Sequence, residues 1–247
     1  MKAIIIAAGS GRRLYPLTKD LPKCMLGING KTILEIQLEV YRKLGIKNIT
    51  LIKGHMAEKI NLPGITYYTN KEYLENNILN SLFCAEKEMD DDFIVSYSDI
   101  IFEKNVVEKL FGCNDDICAV VDKQWKNKYL GRTLHPASEA EKAIVNNDRI
   151  TEIGKRIQEQ DGCYEFIGMI KISKKFAQRF RDFFSIAKNN YSNKEFYEAR
   201  TFKKAYLTDF IHFLIDQKVK VTPIIIEDNW MEIDTKEDLE RARKNWR

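Results

Sequence analysis

Residues 1–23, MKAIIIAAGSGRRLYPLTKDLPK, run an apolar strand straight into a glycine loop rimmed with cations. The run 3–7 is apolar throughout, as in a strand covered on both faces. Ala7, Ala8, Gly9, Ser10 and Gly11 keep the following backbone free of bulk, so that it can pass close to a large anion. Glycine also reaches positive φ, which turns N–H groups into a concavity. Arg12, Arg13 and Lys23 lie within reach of the loop. Arginine offers a planar fork to phosphate oxygens, and lysine a movable point charge. The combination suits a nucleoside triphosphate. A dinucleotide fingerprint would need glycine where Leu14 stands, and a Walker loop would close on Gly-Lys-Ser/Thr, which does not occur here.

Beyond the loop, strand and helix patterns alternate. Strands are expected at 48–52, 66–68, 93–97 and 117–121, and helices at 32–44, 80–88 and 106–111, with Gly45 ending the first helix. This alternation predicts an α/β fold, a Rossmann-like and mostly parallel sheet flanked by helices. The second half reads differently. Residues 122–136 are polar and aromatic, and 143–146 and 150–153 flank Asn147-Asp148 as a hairpin. The alternating segment 165–172 can return to the main sheet. Helices are expected at 173–188 and 203–217, a strand at 219–226 and a terminal helix at 235–246 capped by Thr235 and Asp238. With no repeat or linker, 1–247 reads as a single domain with an inserted part around 122–172.

Composition removes several classes. Hydrophobic residues make up 44% and charged residues 31% of the 247, an ordinary globular balance. A net charge of +4 is too slight for a nucleic-acid partner. No apolar stretch is long enough to span a bilayer, and the N-terminal run reads as a core strand, not a signal peptide. Cys24, Cys84, Cys113, Cys118 and Cys163 show no CxxC spacing, which predicts reduced thiols in a cytoplasmic protein.

Ala7, Ala8, Gly9, Gly11, Arg13, Leu14, Pro16, Thr18, Pro22 and Lys23 match the pattern L-A-A-G-x-G-x-R-L-x-P-x-T-x-x-x-P-K. On these residues the chain resembles the sugar-phosphate nucleotidyltransferase superfamily. The resemblance implies a Mg²⁺-dependent enzyme that transfers a nucleotidyl group and releases pyrophosphate. It assigns Arg13 to the departing pyrophosphate and Lys23 to the α-phosphate, and leaves Arg12 at a variable position. Asp99 ends the apolar strand 93–97 and falls where the family holds its first metal aspartate; Asp234, in Trp230-Met231-Glu232-Ile233-Asp234, falls at the second. Asp234 also precedes a helix and can instead be its cap. Asn77 and Ser81 lie where the family contacts base and ribose; a polar loop with Asn80 or Ser81 as the cap of the following helix is the equal alternative.

The runs N-N-I-L-N-S-L, S-D-I-I-F, Y-x-G-R-T-x-H-P and W-x-E-I-D look most like the cytidylyltransferases that activate 2-aminoethylphosphonate or phosphocholine. That subgroup implies CTP as donor and a small phosphonate or phosphate amine as acceptor. Trp125, Tyr129 and Trp230 are the aromatic candidates for the amine, Glu165 or Glu232 its carboxylate, and Arg132 and Lys155 the holders of the anionic end. Many sugar-specific members carry Glu-Lys-Pro where this chain has Gly154-Lys155-Arg156. A sugar 1-phosphate acceptor and a non-catalytic nucleotide sensor are the alternative readings. A homodimer is compatible with either.

Overall fold

The computed structural model describes residues 1–246. In chain order it begins with β1 (Lys2–Ala7), the small hairpin β2 (Gly27–Ile28) and β3 (Lys31–Thr32), and α1 (Ile33–Lys43). Next come β4 (Asn48–Lys53), β5 (Thr66–Thr69), α2 (Ile78–Leu82), β6 (Phe93–Tyr97), β7 (Ile100–Phe102), α3 (Lys104–Phe111) and β8 (Ile117–Asp122). The second half holds α4 (Lys126–Tyr129), β9 (Lys142–Asn146), β10 (Arg149–Gly154), β11 (Cys163–Ile172) and α5 (Lys174–Tyr191). It closes with α6 (Leu207–Asp216), β12 (Thr222–Ile226), β13 (Trp230–Glu232) and α7 (Lys236–Asn245).

One nine-stranded sheet organises the molecule. β1 lies at its centre, parallel to β4 and β6, and β5 extends the parallel group beyond β4. β8 and β12 form a second parallel pair. The long β11 joins the two groups, running antiparallel to β6 and to β8, and its first residues pair with β9 of the β9–β10 hairpin. The sheet is therefore mixed, with parallel pairing on both sides of one antiparallel strand.

The apolar run of β1 is explained by what covers it. Ile4 and Ile6 pack with α2, α5 and α6 on one face, and Ala3, Ile5 and Ala7 pack with α1 and α3 on the other. Full burial of each isoleucine contributes roughly 1.5–3 kcal/mol. Phe83, Phe180, Phe184 and Phe210 stack and cross in the first of these layers.

Helix boundaries follow their caps. Thr32 Oγ1 accepts from the Glu35 N–H at 3.1 Å, while Glu35 Oε2 accepts from the Thr32 N–H at 2.8 Å, a reciprocal box that starts α1. Ser173 caps α5, and Thr235 with Asp238 caps α7, as their sequences predict. The expected helix 80–88 instead begins at Ile78 and passes into a 3₁₀ turn at Phe83–Glu88. The expected helix 203–217 starts only at Leu207, where Asp209 accepts from the Tyr206 N–H at 2.7 Å. The reduced-thiol expectation fails at one place: Cys113 and Cys118 form a disulfide, because the short turn after α3 brings the two thiols together at the start of β8. Cys24, Cys84 and Cys163 are free.

A bulge in β11 shapes the site end of the sheet. The ladder to β8 breaks register between Phe166 and Ile170, and Gly168 takes φ +78° there. A Cβ at this position would lie 2.4 Å from Tyr97 Cδ2. The missing side chain is thus the room that the Tyr97 ring fills, edge-on to Phe166 at 6.2 Å. Gly168→Ala is expected to lower unfolding free energy by about 3 kcal/mol, combining left-handed backbone strain with overpacking. A urea midpoint equal to that of the unmodified protein would show that the ring has space to move.

Candidate active site

β1 ends at the centre of the sheet, and the backbone that follows opens into a cleft. In parallel sheets this carboxyl end is where ligands sit, since the loops there are free of the strand ladders. Gly11 takes φ +60° and starts the 3₁₀ turn Arg12–Leu14. Its carbonyl accepts from Thr18 Oγ1 at 2.9 Å, and a Cβ on it would press to 3.0 Å from the Lys23 Cβ. The residues expected to hold the nucleotide, namely 7–13, Asn77, Ser81 and Asp99, all line this one cleft, together with Lys23 and Asp234. Asn76 and Ser98, from the runs quoted above, line it as well, as do Tyr73 and Tyr97, which were not singled out by sequence.

Charge is concentrated on the cleft floor. The Lys23 ammonium lies 2.9 Å from Asp99 Oδ2 and also donates to Asp234 Oδ1, so it bridges the two carboxylates. Arg13 reaches the other Asp234 oxygen at 2.7 Å, and His135 Nδ1 lies 3.1 Å from it. Burial alone would drive Lys23 toward its neutral form, but the charges of Asp99 and Asp234 outweigh it and hold the ammonium firmly protonated. Burial likewise opposes the Asp234 charge, yet Lys23, His135 and Arg13 keep that carboxyl well below the usual carboxylate range. The cap reading of Asp234 does not hold: Thr235 caps α7, and the Asp234 side chain is taken up by Lys23, Arg13 and His135. Among the described residues, Asp99 Oδ1 is buried and has no hydrogen-bond partner.

The helix cap falls at Asn77, ahead of the expected Asn80 or Ser81, which lie inside the helix. Asn77 is the N-cap of α2 and donates to the Lys204 carbonyl at 3.0 Å. Ser81 Oγ accepts from Asn70 at 2.8 Å and donates to the Asn77 carbonyl at 3.1 Å. Both remain on the cleft wall, so the cap fixes the wall itself.

The residues expected to hold an acceptor divide. Arg132, Glu165 and Trp230 line a second cavity that shares no lining residue with the glycine-loop cleft. Arg132 is not free to take an anion there: its guanidinium is 3.0 Å from Glu232 and 2.8 Å from Asp238, buried in an ion-pair layer. The two tryptophans do not offer an open aromatic face. Trp125 is 1% exposed and donates its indole N–H to the Cys163 carbonyl at 3.2 Å. Trp230 is 3% exposed and donates to Asp122 at 2.7 Å. Tyr129 is buried edge-on to Trp125 and donates its hydroxyl to Glu165. Indole and phenol rings supply most of their stabilisation through burial once their polar handle is satisfied, and these rings are used that way. Lys155 stands apart, its ammonium 5.2 Å over the Tyr206 ring.

Sequence reasoning assigned no role to His135, Tyr97 or Glu141, though His135 and Glu141 lie in the same unusual stretch as Arg132. Tyr97, on the cleft wall, donates its hydroxyl to Glu141 Oε2 at 3.2 Å. Burial pushes the Glu141 carboxyl up to about 7 against the opposing pull of Lys155 and Tyr97. Glu165 is raised well above its ordinary value by burial and the Glu232 charge, and Glu232 is raised by burial and Asp234.

Residues 3–161 match the family model described as the MobA-like NTP transferase domain. The chain is 32% identical over 252 residues to the CTP:phosphoglutamine cytidylyltransferase of Campylobacter jejuni, covering 97% of this chain and 98% of that protein. It is 32% identical over 107 residues to the choline-phosphate cytidylyltransferase of Streptococcus pneumoniae, covering 42% and 47%. In fold it is similar to the inositol-1-phosphate CTP transferase from T. maritima, with a TM-score of 0.75 at 22% identity over 99% of this chain and 96% of the other.

The raised Glu141 carboxyl carries a stability signature. Between the ordinary value of 4.5 and about 7 the folded protein keeps a proton that the unfolded chain has released. The unfolded state binds fewer protons in this window, so stability falls as pH rises through it and levels off above. Glu141→Gln removes the titration. Its unfolding free energy is expected to gain on that of the unmodified protein between pH 5 and pH 8, while slopes due to Glu165 and other groups cancel in the difference. A difference that stays constant across that range would place Glu141 outside the folding linkage.

Proposed function

The chain belongs to the MobA-like NTP transferases, and we propose that it transfers CMP from CTP to a small phosphorylated or phosphonylated acceptor, releasing pyrophosphate. The observation that carries the proposal is the Lys23 ammonium bridging Asp99 and Asp234 at the mouth of the glycine loop. An acceptor oxygen attacks the α-phosphorus in line, the bond to the β-phosphate oxygen breaks, and pyrophosphate leaves with that electron pair. The attacking group is already anionic at neutral pH, so no general base is needed. Positioning and charge neutralisation supply the rate. Backbone N–H groups of the 9–11 loop cradle the phosphates, Arg13 takes the charge of the departing pyrophosphate, and Lys23 turns from the carboxylates toward the α-phosphate.

The donor set fits Mg²⁺. Asp99 and Asp234 are hard oxygen donors at one place, and Asp99 Oδ1 is buried without a partner, as a ligand oxygen awaiting a cation would be. When bound there, the ion would neutralise α-phosphate charge.

The similarity to cytidylyltransferases named for phosphoglutamine and choline-phosphate supports CTP as donor. The acceptor we propose is a zwitterion with an amine at the end remote from its phosphate or phosphonate, held by a part contributed by residues 122–172 of a single 1–247 domain. CTP as donor suits a cytoplasmic setting, and no described helix is long and apolar enough to cross a membrane.

Pyrophosphate release measured with each NTP, against 2-aminoethylphosphonate, phosphocholine, phosphorylated amino acids and sugar 1-phosphates, tests the proposal. CTP is expected to lead with an amine-bearing acceptor, and preference for a sugar 1-phosphate would sink it. Lys23→Ala is expected to cost at least about two orders of magnitude in turnover, the scale of one lost transition-state charge. Asp99→Asn and Asp234→Asn are each expected to abolish Mg²⁺-dependent turnover while melting cooperatively. Either variant retaining the normal Mg²⁺ response would remove that residue from the ion's donor set.

A further inference from the structure

Glu141 differs from every other acid around the cleft. Asp99 and Asp234 share Lys23; Glu232 and Asp238 share Arg132. Glu165 accepts from Tyr129 and lines the second cavity, not this cleft. Glu141 has one side-chain hydrogen bond, from Tyr97, and among the described residues no cation within ion-pair distance. It is nonetheless held rigidly. Its carbonyl accepts from the Phe166 N–H at 2.7 Å, tying it to β11, and the Tyr97 ring that reaches it fills the space left by Gly168. Tyr97 lines the nucleotide cleft two residues before Asp99, and Asp99 and Glu232 both act electrostatically on Glu141. Through the Tyr97 hydroxyl, the carboxyl group adjoins the side of the cleft that carries Asp99. Burial raises its cost of ionisation, and such a cost is offset when a cation arrives with N–H donors.

Neither tryptophan offers a quaternary ammonium an open face. Quaternary ammonium groups are recognised by open aromatic faces. Trp125 and Trp230 are buried with their indole N–H groups already bonded. A trimethylammonium has no N–H to give, so it would strip water from Glu141 without replacing the hydrogen bonds lost. A primary ammonium carries three donors.

We propose that Glu141, oriented by Tyr97, is the specificity-determining residue that selects acceptors ending in a primary ammonium over those ending in a trimethylammonium. This rests on the cytidylyl transfer proposed above. It predicts that 2-aminoethylphosphonate and O-phosphoethanolamine outperform phosphocholine at least tenfold in kcat/KM, a ratio of about 1.4 kcal/mol in transition-state binding. Glu141→Gln, nearly isosteric, is expected to raise the KM for the primary amines at least tenfold and to collapse the preference, with little change in the CTP KM. Tyr97→Phe keeps the ring and loses the orienting hydroxyl, and is expected to move the same ratio in the same direction by a few-fold. An unmodified enzyme that favours phosphocholine, or a Glu141→Gln variant that retains the preference, overturns the assignment. Absence of turnover with every acceptor would instead sink the transfer reaction itself. Calorimetric binding of O-phosphoethanolamine and phosphocholine in the presence of CTP then decides the assignment separately, and equal affinities overturn it.

Discussion

The bridge from Lys23 to Asp99 and Asp234 is the contact on which the rest of this molecule depends. It joins the glycine loop to the end of β6 and to the segment after β13, three places far apart in the chain. Taking an ammonium and two carboxylates out of water is costly, and removing one partner from such a group leaves the others uncompensated. The loop conformation, the approach of β13 and the entry into α7 are therefore mutually required. Arg13 adds a second tie between loop and Asp234 at 2.7 Å. These same cations are the groups a triphosphate would recruit, so binding one would exchange carboxylate partners for phosphate oxygens.

Behind the bridge stands a layer that transmits its position. Asp238 caps α7 by accepting from the Thr235 N–H at 2.8 Å, and it also pairs with Arg132 at 2.8 Å. Arg132 in turn pairs with Glu232, and His135 lies within 3.4 Å of Glu232 and 3.1 Å of Asp234. A helix cap and the site floor thus share one carboxylate. Arg132, Glu232 and Asp238 line the cavity that holds Trp230, whereas Asp234 lines the glycine-loop cleft, so acids two residues apart in sequence serve different cavities.

What could be read in the sequence was what is local. The glycine loop, the strand feeding it and the cations at its rim lie within 23 residues, and their spacing alone suits a concave anion site. Asp99 was legible because an acid ending an apolar strand falls at the sheet end where ligands sit. Asp234 was legible only in part, since a carboxylate before a helix reads equally as a cap; the threonine beside it decides the matter in space. The aromatics misled because residue type does not encode which way an indole points. Trp125 and Trp230 needed partners for their N–H groups, and those partners, the Cys163 carbonyl and Asp122, lie on other strands. Nor could spacing show that β11 reverses direction between two parallel groups, because a strand covered on both faces has the same apolar pattern in either orientation. Tyr97 with Glu141, and Cys113 with Cys118, become pairs only once β6, β9, α3 and β8 are in place.

The sheet topology separates the two jobs that the proposed reaction sets. β1 and its parallel neighbours present the loop and Asp99, and their geometry is constrained by helices packed on both faces. Glu141 and Tyr97 meet where the antiparallel β11 bulges past the end of β6, with Gly168 opening the space. A bulge re-aims side chains without breaking the ladder beyond it. Changes on β9 and β11 can therefore alter which charge faces the cleft from the acceptor side while the phosphate cradle stays fixed. On that view, a chain with this loop and a different residue at position 141 would keep its nucleotide and change its acceptor, because the cradle is anchored by Lys23 and the acceptor wall by Gly168.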